Sequence, residues 1–384
     1  MDGNSMTTAN TYLDHQATTP LDERVLEVML PWLGRPANPH SSEHSFGQDA
    51  AAAIELARKQ VADAVNGDPK GVVFTASATE AANVVIRSFA HGRSHLLISA
   101  IEHPCVAETA AGCMKEGRTV VTTVPVDEDG VVDLDALSEL MVTADLVSVM
   151  TVNNEVGTIQ PIEDIGALCI GQGVPLHTDA AQAIGRVPVD METGITFATL
   201  SSHKIYGPPG IGAICAQPED ISLLKPLMSG GGQERGLRPG TLPTPLCVGF
   251  GEACALAVRE RERDAEQASA LAESFLEHLD TAGVVYAVNG SRDERVAQNL
   301  NVSFDGVEAE ALLARLPSVA LSTGSACSSG AIRPSKVLTA MGLDGDRVRS
   351  AVRIGFGRGT GPRDVHDAAA KVAAVVTALR GQSV

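Results

Sequence analysis

Apolar positions along this chain gather into short runs that alternate with stretches of helical spacing. Residues 72–75, 96–99, 146–151 and 211–215 are each short, largely apolar and partly β-branched, the pattern of strands buried on both faces. Around them, 48–65, 80–89 and 133–140 have helical character. Strand–helix alternation through the first 215 residues predicts an α/β fold, a mainly parallel sheet with helices on both faces. Such sheets bind ligands at the carboxyl ends of their strands. The Gly/Pro-rich stretch 229–245 breaks the alternation, and a long helix dense in Ala, Glu and Arg is expected over 246–282. A smaller α/β region follows, with strands at 284–288 and 297–303, helices at 308–316 and 334–341, a strand at 352–355 and a last helix from Pro362. No internal repeat or low-complexity linker is visible.

The chain has 384 residues, 44% hydrophobic and 20% charged, ordinary for a globular enzyme and enough for two or three domains. No apolar run reaches the roughly 18–20 residues of a membrane span. Residues 1–10 are polar and lack the basic-then-apolar order of a signal peptide, so a cytoplasmic location is expected. The 29 Lys and Arg against 47 Asp and Glu leave a net charge of −18. That argues against direct, phosphate-driven nucleic-acid binding and is compatible with a basic protein partner. The seven cysteines (105, 113, 169, 215, 247, 254 and 327) are scattered, odd in number and free of CxxC spacing. Neither a disulfide framework nor a zinc site is suggested, and six of them are expected to pack as small apolar residues.

Candidate chemistry centres on Ser201-Ser202-His203-Lys204-Ile205-Tyr206-Gly207-Pro208-Pro209-Gly210. A lysine in a Ser/Gly-flanked loop forms a Schiff base when desolvation exposes its neutral amine, and the neighbouring hydroxyls and imidazole suit a phosphate. Taken alone, a solvated surface lysine fits as well. Upstream, His177-Thr178-Asp179-Ala180-Ala181-Gln182 follows the strand-like run 174–177. Asp179 is placed to hold a pyridine nitrogen protonated, with Gln182 one turn on near a ring hydroxyl; an N-cap is the plain alternative for Asp179. At Phe74-Thr75-Ala76-Ser77-Ala78-Thr79-Glu80 a strand gives way to a helix whose N-terminal amides suit a phosphate, with Thr79 adding a hydroxyl; a simple helix cap would look the same.

With these residues in view, the chain resembles the group I (NifS/IscS-like) cysteine desulfurases, enzymes of pyridoxal phosphate (PLP) fold type I. The resemblance runs nearly end to end. It begins at Tyr12-Leu13-Asp14-His15-Gln16-Ala17-Thr18-Thr19-Pro20 and Asn38-Pro39-His40-Ser41-Ser42, and includes the Ala78-Thr79-Glu80 turn and Val152-Asn153-Asn154-Glu155-Val156-Gly157. It continues through the lysine loop, Gly230-Gly231-Gly232-Gln233-Glu234-Arg235-Gly236 and Arg238-Pro239-Gly240-Thr241. It ends at Ser322-Thr323-Gly324-Ser325-Ala326-Cys327-Ser328-Ser329 and Val352-Arg353-Ile354-Gly355.

The resemblance implies a large domain, 15–257, with a seven-stranded mainly parallel sheet, and a smaller one from 1–14 and 258–384 that carries the Cys327 loop. It implies that Lys204 holds PLP and moves protons at the substrate carbon. His103, in Glu102-His103-Pro104, would stack on the ring and act as acid or base, with Asn154 and Gln182 on the ring-hydroxyl side. Ala78, Thr79, Ser201 and His203 would bind phosphate, and Thr241 would reach the phosphate of a neighbouring subunit in a homodimer. Arg353 would clamp the carboxylate of L-cysteine, which a planar guanidinium pairs at two points. In isolation, His103 reads as a core histidine and Arg353 as a surface ion pair.

Cys327 is implied to be the nucleophile that takes the substrate sulfur as a persulfide, leaving alanine. It sits in the run 323–330 of small residues, suited to a loop that meets the substrate and then a sulfur-acceptor protein, and we expect packing to hold that loop. A free thiol is mostly protonated at neutral pH, so a nearby cation or base should assist. No resident metal is implied, Cys327 being at most a transient iron–sulfur ligand. Three positions depart from the commonest family pattern: the pair His15-Gln16, Ser77 in place of glycine, and Cys105 after Glu102-His103-Pro104. They suggest a specialised member, similar to the DndA-type desulfurases of bacterial DNA phosphorothioation. A housekeeping sulfur donor for iron–sulfur assembly or tRNA thiolation, a selenocysteine lyase, another fold-type I enzyme such as an aminotransferase, and a sulfur-carrier scaffold without catalysis are the rivals.

Overall fold

The computed structural model describes residues 10–324 and 334–381. Its centre is a seven-stranded sheet formed by β1 (Val72–Thr75), β2 (Ser94–Ser99), β3 (Thr119–Val124), β4 (Leu146–Ser148), β5 (Leu176–Asp179), β6 (Phe197–Ser201) and β7 (Gly212–Ala216). The strand order is 3-2-4-5-6-7-1, and only β7 runs against the rest.

Successive side chains on each strand point to opposite faces. Phe74, Leu97, Val147, Ala198 and Ala213 therefore enter one core, packed by α1 (Glu23–Leu33), α2 (Ser45–Asp63) and Cys247, Phe250 and Ala253 of the long helix that begins at Thr244. Their neighbours Val73, Leu96, Leu146, Phe197 and Ile214 enter the other core, under α3 (Ala78–Phe89) and α4 (Pro104–Lys115). Two further helices, α5 (Leu134–Leu140) and α6 (Ile162–Gln172), add Leu137 and Ile165 to the first core. The outcome is a three-layer α/β/α block.

Helix α7 (Thr244–Thr281) continues past this block. Leu256 and Ala257 belong to the first sheet core, whereas Leu271, Phe275 and Leu279 belong to a separate one. That core is completed by β8 (Tyr286–Val288), β9 (Asn299–Phe304), α8 (Ala309–Ala314), β10 (Ala351–Gly355) and α11 (Pro362–Arg380), the strands forming an antiparallel sheet in the order 10-9-8. Leu13 joins it from the N-terminal side, where Thr11–Tyr12 pairs with Val319–Ala320. Between the two regions, α9 (Lys336–Ala340) and α10 (Gly345–Arg349) set Val337, Leu338 and Val348 against Ile101, Met150 and Val156 on the loops at the carboxyl edge of the large sheet. Among the described residues no helix is long and apolar enough to cross a membrane, and the six described cysteines are buried and unpaired.

The strand expected at 146–151 ends as a regular strand at Ser148, yet Val149 N–H still reaches His177 O (3.1 Å) and Thr151 N–H reaches Asp179 O (3.1 Å). The ladder persists while the chain turns outward toward Asn154. Two strands, β3 and β6, were not anticipated. β3 lies at the sheet edge with Val120 turned to solvent. β6 carries hydroxyls among its apolar residues, and Thr199 is satisfied inside the sheet by the His177 ring.

The Gly/Pro-rich segment after β7 is anchored by a buried ion pair. Arg58 on α2 meets both Glu234 carboxylate oxygens (2.7 and 3.0 Å), and Glu234 also accepts the Phe74 N–H (2.6 Å). Removing one partner of such a pair leaves a buried charge uncompensated. Arg58→Ala is therefore expected to cost about 3–5 kcal/mol, read as a lower urea midpoint at unchanged slope. A native midpoint would show that the segment is held by other contacts.

Candidate active site

The ends of β1, β2, β4, β5 and β6 meet at one edge, which is where an open parallel sheet presents loops to ligands. A cavity of about 800 Å³ opens there. Of the residues singled out from the sequence, Ala78, Thr79, His103, Asn154, Asp179, Gln182, Ser201, His203, Lys204 and Arg353 all line it. Thr241 is exposed and lies outside this lining. Cys327 and its expected packing lie outside the described residues, although Thr323 and Gly324, just before it, line the cavity.

Asp179 ends β5 and is buried. Its Oδ1 accepts the Ala181 N–H (2.9 Å), and its Oδ2 accepts the Cys105 S–H (3.5 Å). Two residues back on the same strand face, His177 is clamped between Ser148 Oγ (2.8 Å) and Thr199 Oγ1 (3.2 Å). Burial lowers its pKa to about 4, so it offers Asp179 no positive charge at neutral pH. Burial and the Asp179 charge push Glu102 well above the usual carboxylate range. Glu102 Oε1 accepts the Met150 N–H (2.7 Å), and its Oε2 is buried without a partner. The same two causes push the Cys105 thiol far up, so it stays protonated as a donor. Asp179 thus has only neutral groups in direct contact, and its charge acts at longer range on the Lys204 amine. His103 N-caps α4 through its Nδ1, which accepts the Cys105 N–H (3.1 Å), and this leaves Nε2 for the cavity side. Burial lowers its pKa, and Asp179 opposes that. His103, Cys105 and Asp179 also bring nitrogen, sulfur and oxygen atoms within 4.8 Å of one another, a trio that a metal could use.

Lys204 closes the short turn Ser202–Lys204 that follows β6. Its Nζ donates to the carbonyls of Gln16 (2.5 Å) and Ala17 (2.8 Å). Burial lowers its pKa to about 8, aided by Arg353 and Arg186 and opposed by Asp179 and Asp14. That is the setting of an amine that becomes nucleophilic near neutrality. Gln182 Nε2 reaches the same Gln16 carbonyl (2.9 Å).

One end of the cavity suits an anion. Ser77 caps α3, accepting the Glu80 N–H through Oγ (3.1 Å), and the Ala78 and Thr79 amides that follow have no partner within the helix. The backbone at Ser77 is extended (φ −173°), so this position does not require glycine. Gly212, opposite, is required: a Cβ there would stand 2.5 Å from Leu200 O and 2.7 Å from Ser77 C. His203 Nδ1 bonds Thr18 Oγ1 (3.0 Å), and burial lowers its pKa to about 4. Ser201, buried, ends β6 beside them.

At the other end, Arg353 on β10 donates to the Asn154 carbonyl (2.9 Å) and pairs with Asp14 (2.8 Å); its Nε is buried without a partner. The guanidinium is thus internally paired rather than solvent-paired, and still has a donor to give. The departure at His15-Gln16 is structural: Gln16 Nε2 donates to Gln298 O (2.6 Å), and the His15 ring fills the space beside Gly357, where a Cβ would clash at 2.4 Å. Cys105, the third departure, is the thiol that donates to Asp179. Reading the sequence overlooked Asp14 as the partner of Arg353, Glu102 beside Asp179, and Arg186 behind Gln182. Asp14 and Arg353 are 339 positions apart, and no local pattern links them.

A buried acid with no cation in direct contact, an amine depressed to about pKa 8, an anion-binding helix start and a spare guanidinium donor fit PLP, whose pyridine nitrogen, aldehyde and phosphate need these groups. Comparison with known proteins agrees. Residues 11–367 match the aminotransferase class-V family. The mitochondrial cysteine desulfurase of Arabidopsis thaliana is 45% identical over 97% of this chain and 83% of its own length. A NifS-like protein of known structure superposes with a TM-score of 0.87 at 32% identity, covering 96% of this chain and 99% of that one. DndA from Streptomyces lividans superposes at 0.75 with 35% identity, covering 90% and 99%. Fold, cavity chemistry and near-complete likeness converge, and the chain belongs to the class-V aminotransferase family as a PLP-dependent cysteine desulfurase.

Proposed function

We propose that Lys204 holds PLP covalently, with Asp179 against the pyridine nitrogen, and that Cys327 carries the sulfur away as a persulfide. Bound there, the cofactor supplies an electron sink for negative charge at the substrate α-carbon. The buried Asp179 carboxylate, held by an N–H and an S–H with no ion pair among the described residues, is the observation that carries this reading, because a protonated ring nitrogen would pair with it. His103 covers the ring, while Asn154 and Gln182 face its hydroxyl side. Ala78, Thr79, Ser201 and His203 hold the phosphate. Once displaced by cysteine, the Lys204 amine removes the α-proton and later returns one. Arg353, through its spare Nε donor, pairs with the substrate carboxylate and orients the sulfur outward. The Cys327 thiolate attacks that sulfur: the new S–S bond leaves persulfide on the enzyme, the C–S bond breaks, and the carbon skeleton departs as alanine.

The placement of Gly324 supports this role for Cys327. Gly324 lines the cavity, and Glu155 stands where a Cβ at Gly324 would meet it at 3.2 Å; Glu155 Oε2 also accepts the Ser335 Oγ–H (2.5 Å). Thr241 is assigned to the cofactor phosphate of a second copy, in a homodimer. Exposed Leu223, Leu227 and Met228 nearby in sequence support a surface that another copy covers. The net charge of −18 favours transfer to a protein acceptor over contact with a nucleic acid. The resemblance to DndA-type desulfurases carries DNA phosphorothioation as the pathway served, and iron–sulfur assembly is the second reading. Mass spectrometry of proteins co-purifying with the tagged enzyme separates the two.

Lys204→Ala is expected to abolish the visible absorption band of the lysine-bound cofactor; a retained band would refute the assignment. Cys327→Ser should keep that band while losing persulfide transfer, and sulfide release from cysteine at the native rate would sink the nucleophile role. Capture of added PLP by the apoenzyme should accelerate as pH rises through about 8, where Lys204 loses its proton. A rate that is flat between pH 7 and 9 would count against a depressed amine.

A further inference from the structure

Arg186 lies just outside the cavity lining, four residues after Gln182, and carries a charge that nothing nearby neutralises. Its Nη1 donates to Gln182 O (2.7 Å) and Gln182 Oε1 (2.5 Å), and its Nη2 donates to Lys204 O (3.3 Å). All three acceptors are neutral. Its electrostatic neighbours are Tyr206 and Arg353, and no carboxylate pairs with it among the described residues. An arginine drawn inward in this way ordinarily finds an acid, and this one does not.

Two consequences follow from its position. A glutamine amide can point either way, and only its partners decide. With Oε1 taken by Arg186, the Gln182 NH₂ must face Gln16 O (2.9 Å) and the cavity. The second consequence concerns the Lys204 amine. The charged and titratable groups facing it are Arg353 from β10, Asp179 from β5, Asp14 from the N-terminal segment, His103 from the α4 cap, His203 from its own turn, and Arg186. Both histidines are neutral near pH 7, and Arg353 is matched by Asp14 at 2.8 Å. Arg186 alone is a cation without a counter-ion.

We propose that Arg186 is a positioning residue for the cofactor: it locks the Gln182 amide with its NH₂ toward the ring and sets an unneutralised positive charge against the Lys204 turn, favouring the uncharged form of that nitrogen. Burial of the amine acts in the same direction, and Arg186 adds to it. The inference rests on Lys204 being the lysine that holds PLP.

The test is a pH titration of the visible band of the holoenzyme in Arg186→Gln and Arg186→Lys. Arg186→Gln is expected to raise the apparent pKa of the lysine–cofactor link by about one unit and to speed loss of PLP on dilution. Arg186→Lys, which keeps the charge, should stay near the native titration. A native titration in Arg186→Gln overturns the proposal. If that variant does not fold, the same titration in Arg186→Met, which keeps an apolar stem and removes the charge, decides. A rise of about one unit supports the proposal, and a native titration overturns it. A native protein that gains no visible band with PLP would instead refute the lysine assignment and leave the Gln182–Arg186 geometry untouched.

Discussion

A carboxylate taken out of water without a cation beside it costs several kcal/mol, and a protein accepts that only where something else repays it. Asp179 is held in this way at the end of a central strand. It receives an amide N–H and a thiol S–H, while burial pushes Glu102 above the usual carboxylate range and lowers the pKa of both His177 and His103. A fixed cation in direct contact would satisfy the site internally and remove its reason to bind. The surroundings of Asp179 therefore favour a cationic group arriving from the cavity.

The opposite wall has the complementary problem. Lys204, Arg353 and Arg186 bring three basic groups together, with Asp14 as the close partner of one. The N-terminal segment resolves much of this crowding. Asp14 pairs with Arg353, the Gln16 and Ala17 carbonyls receive the Lys204 amine, and the Gln16 side chain ties to Gln298. A few residues from the start of the chain thus join the lysine on the large sheet to the arginine on the small one. The substrate-facing geometry depends on their staying in register.

Much of the fold was legible in the sequence because burial writes a period on it. The strands at 72–75 and 212–216, the long helix and the order of the smaller region all follow from where apolar residues recur. β3 was overlooked because an edge strand mixes exposed and buried positions, and β6 because its hydroxyls find partners only across the sheet. In the site, Lys204, Asp179 and Thr79 stand in motifs whose residue types already suggest their chemistry. Asp14, Glu102 and Arg186 do not. Their importance comes from pairing, or failing to pair, with residues far away in sequence, and that information exists only after folding.

Helix α7 runs unbroken through 38 residues, a rod of roughly 57 Å, and its side chains pass from one core to the other between Ala257 and Ala268. A helix of this kind transmits rotation without loss. One residue inserted midway would turn everything beyond it by about 100°, swinging Phe275 and Leu279 off their core. Natural variants should therefore tolerate length changes in the loops around the site far more readily than in this stretch, where Glu260 and Asp264 also pair with Arg24 and Arg358.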